Sequence, residues 1–297
     1  MRLAVIPPQR DGEIASTGFC VMRPDTSAVL TNYLAHMLGT ETFRAYIEAN
    51  QIDGNYPSIP DDRVRAFRIP VPPLEVQREI VRILDTFTEL EAELEAELEA
   101  RRQQYEHYRA ELLTFGDSVP QKSLGEIATI GTGSHDTKDA VPDGGYIFYA
   151  RGREPLRLNS FDFDERAIIT AGDGVGVGKV FHYAEGKFAL HQRAYRIVPA
   201  EGVDARYLYH FLVADFAKYL EQISVHASVT SLRRPMFLRY PVQLPPLGEQ
   251  RRISGILDKF ETLVNNLSVG LPAELNARRQ QYEYYRDKLL TFKEAVA

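Results

Sequence analysis

The chain has one cysteine, Cys20, in 297 residues. One thiol forms no internal disulfide and cannot build a multi-cysteine zinc site, so both are excluded; Cys20 reads as a small core residue. No apolar run approaches the roughly 20 residues that cross a bilayer. The first residues lack the basic, apolar and small-residue regions of a signal peptide. A cytoplasmic protein without membrane contact is expected.

Positive charge is also short. There are 35 Lys and Arg against 41 Asp and Glu, a formal net charge of -6, which on its face argues against nucleic acid. Much of the acid, however, sits in the run Glu89 to Glu99, where Glu flanks a Leu seam. Residues 117–245 carry 15 acidic and 15 basic side chains, so charge neither supports nor excludes DNA binding there.

Catalytic signatures are missing. Asp173-Gly174-Val175-Gly176-Val177-Gly178-Lys179 invites a phosphate-loop reading, but Asp173 stands where Gly is needed and Val180 where Ser or Thr would ligate magnesium. Alternating Gly and Val read better as a tightly packed strand. Asp162, Asp164 and Glu165 form the densest acidic cluster of the globular part and read as a solvated turn. The seven histidines, His36, His107, His135, His182, His191, His210 and His226, show no ligand spacing. There is no nucleophile elbow, and the two Pro-Pro-Leu sites lack the first and last residues of an amino-methyltransferase motif.

What is present is a repeat. Pro72-Pro73-Leu74-Glu75-Val76-Gln77-Arg78 opens a segment ending in Ala100-Arg101-Arg102-Gln103-Gln104-Tyr105-Glu106, then Tyr108-Arg109 and Leu112-Leu113-Thr114-Phe115. Pro245-Pro246-Leu247-Gly248-Glu249-Gln250-Arg251 opens a second, ending in Ala277-Arg278-Arg279-Gln280-Gln281-Tyr282-Glu283, then Tyr285-Arg286 and Leu289-Leu290-Thr291-Phe292. In the first copy Ile80, Ile83, Phe87, Leu90, Leu94 and Leu98 fall at helical steps of three and four. Ile253, Ile256, Phe260, Leu263, Leu267 and Leu271 match them in the second. Each copy predicts a helix of about forty residues, roughly 60 Å long, and two matching stripes predict an antiparallel coiled coil. Gly270-Leu271-Pro272 predicts a break in the second helix alone.

Four segments follow from this: residues 1–71, the first long helix at 72–116, a globular region at 117–244, and the second long helix at 245–297. In 1–71, Arg2 to Ile6 and Phe19 to Met22 read as strands, Leu30 to Tyr46 as a helix, and Asp53 to Ser58 as a polar loop. In 117–244, Tyr146 to Tyr149, Val180 to Tyr183, Phe188-Ala189 and Tyr195 to Val198 read as strands before a helix with Leu208, Phe211, Leu212 and Leu220 on one side. The fold class is α+β. Residues 12–68 track 186–241, so the whole domain-plus-helix unit is repeated, with the first copy short by roughly sixty residues at its front.

The remaining polar loops carry Arg151, Arg153, Lys179, His191, Gln192, Arg193, Thr230, Ser231, Arg233 and Arg234. Arg bonds guanine bidentately and Gln adenine, while Ser, Thr and Lys mostly hold phosphates.

The paired Pro-Pro-Leu-x-x-Gln junctions and Arg-Arg-Gln-Gln-Tyr-Glu-x-Tyr-Arg-x-x-Leu-Leu-Thr-Phe blocks, with Ile14 to Cys20, resemble the specificity subunit of type I restriction-modification systems. The resemblance covers essentially the whole chain. It implies a non-catalytic reader of double-stranded DNA, with two target recognition domains reading the halves of a split site and the paired helices setting the gap. It further implies two methylation subunits carrying S-adenosylmethionine, restriction subunits using ATP and Mg, and no cofactor in this chain. The first recognition domain begins partway through and is expected to be poorly stable alone, which raises self-association as an expectation. A scaffold that holds methylation subunits without reading DNA is the competing expectation. An enzyme would rest only on the Gly-rich stretch and the acidic cluster.

Overall fold

The computed structural model describes residues 3–10, 12–16, 18–52, 54, 57–116, 118–223, 233–266 and 268–292. Thr230, Ser231, His226 and Leu267 lie outside them. The chain divides into two compact units, residues 1–100 with 265–297, and residues 101–264.

The first unit is helical. α1 (Thr31–Leu38) and α2 (Glu41–Asn50) replace the single helix expected from Leu30 to Tyr46. The chain breaks at Gly39 and Thr40 because the Thr40 hydroxyl accepts from the Phe43 N–H and starts a new helix. α3 (Asp61–Arg65) follows, then α4 (Leu74–Leu112), which gives this unit its first 27 residues and continues into the other. Among the described residues, the predicted strands do not form. Leu3, Val5 and Ile6 are 45 to 63% exposed and Phe19 is 65% exposed, and neither stretch is extended against a neighbour. A strand without a partner leaves its backbone groups unpaired, and among the described residues this unit holds only the isolated bridge Ile52–Ser58. Cys20 is exposed, not core.

Two apolar clusters hold this unit. Leu38, Phe43 and Val64 gather Tyr46 and Phe67 around α1 to α3. Tyr33, Met37, Ile80, Leu84 and Leu290 join α1 to α4 and to α9 (Leu271–Leu290). Phe87 stacks on Tyr285 at 5.5 Å, and Arg279 pairs with Glu91 at 2.6 Å and with Glu95. Numbers rise along α4 as they fall along α9, so the two are antiparallel.

The second unit carries the sheet. β1 (Gln121–Ser123) pairs only with β8 (Pro241–Gln243). β2 (Ala128–Thr132), β3 (Tyr146–Tyr149), β4 (Leu156–Leu158), β5 (Phe163–Ala171), β6 (Phe181–Leu190) and β7 (Ala194–Pro199) form a mixed sheet of order β2-β7-β5-β6-β3-β4. The segment after β2 returns to the end of β6: His135 N–H donates to Leu190 O at 3.3 Å, and Gln192 N–H to His135 O at 2.9 Å. The sheet therefore curls until its β2 edge meets β6. Ala167, Ile169, Ala184, Phe188, Leu190 and Ala194 fill one core. The rest of this unit is helical: the turn α5 (Leu124–Ile127), α6 (Ala205–Ile223), α7 (Arg234–Leu238), α8 (Leu247–Asn265) and the end of α4. α6 covers the sheet with Leu208, Phe211, Leu212 and Leu220 buried, as its spacing predicts.

Three readings are corrected here. Gly174–Gly176 is a 3-10 turn with Val175 98% exposed, not a strand. Gly176 is needed there because a Cβ would sit 2.6 Å from Arg151 O. The pieces 181–183 and 188–189 belong to one ten-residue strand, β6, which starts after Val180 and runs through Gly186 at φ +82°. The acidic cluster is not a solvated turn: the Asp162 carboxylate accepts from Leu190 N–H at 2.8 Å, and Glu165 on β5 pairs with Arg196 on β7 at 2.5 Å.

The second long helix is interrupted, as Gly270 and Pro272 predict. α8 ends at Asn265, and α9 starts behind Gly270 at φ +91° with Pro272 in its first turn.

Candidate nucleic-acid interface

The repeat in sequence is a repeat of contacts. In the first unit the Gln77 side chain accepts from Leu30 N–H and donates to Ala28 O and Pro72 O. In the second, Gln250 accepts from Asp204 N–H and donates to Gly202 O and Pro245 O. Tyr33 OH donates to Pro70 O, and Tyr207 OH to Gln243 O. Each glutamine, almost wholly buried, ties the start of a long helix to the domain before it.

The expected seam is a wider face than two helices need. Ile80, Leu98 and Ile253 are buried. Ile83, Phe87, Leu94, Ile256, Phe260 and Leu263 are half-buried, and Leu90 is 39% exposed. The fully buried residues are Leu84, Leu257 and Val264, one position along from seam residues. The reason is visible at Leu84, which meets Tyr33 and Met37 of α1: the helix packs on a domain as well as on a helix.

In the second unit four loops meet at one end of the curled sheet: residues 133–139, 150–155, 172–180 and 191–193. Asp173 joins three of them, because its carboxylate accepts from Arg151 Nη1 at 2.9 Å and from Arg193 Nη1 at 3.0 Å. Burial opposes the Asp173 charge, but the two guanidiniums outweigh it and hold the carboxyl below its usual range. Gln192 Nε2 donates to Asp136 Oδ2 at 3.1 Å, adding the fourth loop. The Asp136 carboxyl is lowered chiefly by the Lys138 N–H, with burial opposing it and Gln192 adding to it.

Arg193 is 63% exposed and Arg151 40%, so both present guanidinium edges outward while staying oriented. His191 does not reach the surface. Its ring is buried, its Nδ1 accepts from Arg193 N–H at 2.9 Å, and burial followed by the nearby Arg151 charge lowers its pKa. Arg153 and Lys179 are exposed on two of the same loops. Arg233 and Arg234 are exposed at the start of α7, where Phe237 packs 4.7 Å from Tyr195, two residues beyond Arg193. Asp173 and Asp136 are the members that sequence reading misses. Asp173 lies in a glycine run that suggested a packed strand, and only the curl of the sheet brings it between two arginines.

Among the described residues, His210, Asp258 and Glu261 bring potential ligand atoms within 4.8 Å of one another. A cation is already there: Arg206 Nη2 donates to both carboxylates at 2.5 Å. The cluster fixes α6 to α8 and has the character of an ion-pair network. No helix is long and apolar enough to cross a membrane among the described residues.

Comparison with known proteins agrees with the repeat. The family model described as "Type I restriction modification DNA specificity domain" matches residues 8–100 and 117–277. The specificity subunit of the Escherichia coli type I restriction enzyme EcoR124I/EcoR124II is 31% identical over 76% of this chain and 63% of its own length. A putative type I restriction enzyme specificity subunit of Haemophilus influenzae is 32% identical over 77% of this chain and 65% of its own. The chain thus spans less than two thirds of each of these relatives. In fold it is similar to the type I restriction-modification S subunit of M. genitalium, with TM-score 0.66 and 15% identity over 91% of this chain and 75% of that one. On the family match over both repeats, the chain belongs to the type I restriction-modification DNA specificity family.

Proposed function

We propose that the chain is a non-catalytic specificity subunit that reads double-stranded DNA and directs methylation and restriction subunits to a bipartite site. The observation that carries this reading is the exposed set Arg151, Gln192 and Arg193, held in register by Asp173 and Asp136 within a segment matched by the specificity-domain model. Arg and Gln edges suit guanine and adenine in the major groove. Arg153, Lys179, Arg233 and Arg234 suit phosphates along the same face, and His191 positions Arg193 from beneath. Thr230 and Ser231 belong to the same proposed set. In this reading residues 117–244 are one recognition domain and 1–71 belong to the other. Residues 72–116 and 245–297 are the spacer helices on which two methylation subunits dock. Those partners bring S-adenosylmethionine, and the restriction subunits bring ATP and Mg, all in the cytoplasm.

The test is base-resolved methylation of genomic DNA in cells that carry the methylation subunits with and without this chain. A split motif that appears only with the chain is expected. A half-motif or palindrome would assign reading to 117–244 alone, and no new methylation would sink the reader role in favour of a scaffold.

A further inference from the structure

Arg151 and Arg193 share one carboxylate. Arg151 Nη1 donates to Asp173 Oδ1 at 2.9 Å, and Arg193 Nη1 donates to Asp173 Oδ2 at 3.0 Å. The backbones beneath are as closely set. Gly172 N–H donates to Arg193 O at 2.8 Å. A Cβ on Gly172 would stand 2.5 Å from Arg193 O, and one on Gly176 would stand 2.6 Å from Arg151 O. Asp173 lies between these two glycines, so the arginines and the acid that joins them are fixed at the backbone as well as through their side chains.

Bonded to opposite oxygens of one carboxylate, the two Nη1 atoms lie within about 8 Å of each other, a separation of two base-pair steps at roughly 3.4 Å each. Asp173 uses Nη1 of each guanidinium. The other edge, Nε with Nη2, is a two-donor fork of the kind that meets guanine O6 and N7. The same acid disfavours a phosphate here. An anion laid across both guanidiniums would face the Asp173 carboxylate, which they hold ionised, whereas guanine O6 and N7 are neutral acceptors.

We propose that Arg151 and Arg193 read two G·C pairs lying within three consecutive base pairs of one half-site, with Asp173 as the positioning residue that fixes their spacing. The proposal rests on the reader role and adds the bases and their separation to it. A fork already oriented by an acid loses less freedom on binding than an untethered side chain. One carboxylate orients two forks, so guanine is favoured at both positions together.

The test uses the full chain with its methylation subunits, and duplexes bearing the motif that they methylate. Replacing one guanine at a time by 7-deazaguanine removes the N7 acceptor and keeps Watson–Crick pairing. Two guanines within three consecutive base pairs, on either strand, are expected to respond, each replacement weakening binding about tenfold. Arg151→Ala is expected to abolish the response of one, and Arg193→Ala that of the other. Asp173→Asn is expected to reduce both while other positions of the motif stay strict. The arginine variants and the modified duplexes decide the pairing even where Asp173→Asn does not fold. Responding guanines farther apart, or no response within a motif that is otherwise read, overturn this proposal alone. So do arginine variants that weaken every sequence alike, which would make both side chains phosphate contacts. A complex without any motif overturns the reader role and this proposal with it.

Discussion

His36 and His210 occupy the same place in the two units and make the same bond. His36 Nε2 lies 2.8 Å from Asp85, and His210 Nε2 lies 2.7 Å from Asp258. Each joins a domain helix to a long helix. They differ at the other ring nitrogen, since His36 Nδ1 meets Tyr282 OH at 3.1 Å whereas His210 Nδ1 is buried with no hydrogen-bond partner among the described residues. Around Asp258 the second unit adds Arg206, where the first has Asn32 on Asp85.

That ion-pair network gives a pH dependence. Burial opposes ionisation of Asp258, but the bonds from His210 and then Arg206 prevail, and the carboxyl is lowered. A carboxyl depressed on folding stabilises the native state above its unfolded pKa of about 3.9 and loses that contribution as pH falls through the folded value. Asp258→Asn is therefore expected to lower the urea midpoint at pH 7 and to converge with the unaltered protein as pH falls below the lowered carboxyl value. A difference that stays constant across that window would rule this out.

Gln250→Leu should be among the most damaging single changes in the second unit. The side chain is 1% exposed and satisfies Asp204 N–H, Gly202 O and Pro245 O. Removing it leaves at least one buried backbone group unpaired, at about 2–3 kcal/mol. Gln77→Leu is expected to cost a similar amount in the first unit. Chemical denaturation measures both, and losses under about 0.5 kcal/mol would show that water replaces the glutamine.

Gly270→Ala tests the break in the second helix. Its φ of +91° and ψ of -166° fall in a region that only glycine enters cheaply, so alanine should cost about 1–3 kcal/mol. Gly248→Ala is the control, because its Cβ would meet nothing within 4 Å and it lies in the first turn of α8. Equal melting temperatures for the two variants would contradict the account.

For the proposed reader, two kinds of substitution should separate. Arg193→Ala is expected to lower affinity for the chain's own motif by about 1–3 kcal/mol and to relax choice at one base pair. Lys179→Gln is expected to weaken all sequences alike and to reduce the slope of log K against log salt by about 1. Titrations at several salt concentrations, with methylation subunits present, resolve the two. Identical effects from both changes would remove the assignment of Arg193 to base reading.

Much of this was legible in advance because it is periodic or repeated. The long helices and their antiparallel pairing follow from spacing, the break from Gly270 and Pro272, and the buried face of α6 from Leu208, Phe211, Leu212 and Leu220. The strands expected near Val5 and Phe19 failed for the opposite reason. Apolar character predicts a strand only where a neighbour supplies hydrogen bonds, and sequence does not reveal whether one is there. The Asp173 junction was hidden because Arg151 and Arg193 lie far from it along the chain and meet it only through the curl of the sheet. Thr40, a polar residue between two apolar helices, was a readable cap that the longer helical period obscured.

The division into units also bears on the order in which the molecule is made. Residues 101–264 form an unbroken stretch, whereas the other unit needs both ends of the chain, since Tyr282 and Leu290 close the cluster around Tyr33 and Leu84. During synthesis α1 to α3 emerge before residues 101–264 yet cannot finish their core until α9 is made, more than two hundred residues later. Loop closure over such a separation is slow. Helices α1 to α3 thus become stable only after the unit made later, and they stay exposed to chaperones and proteases until α9 emerges.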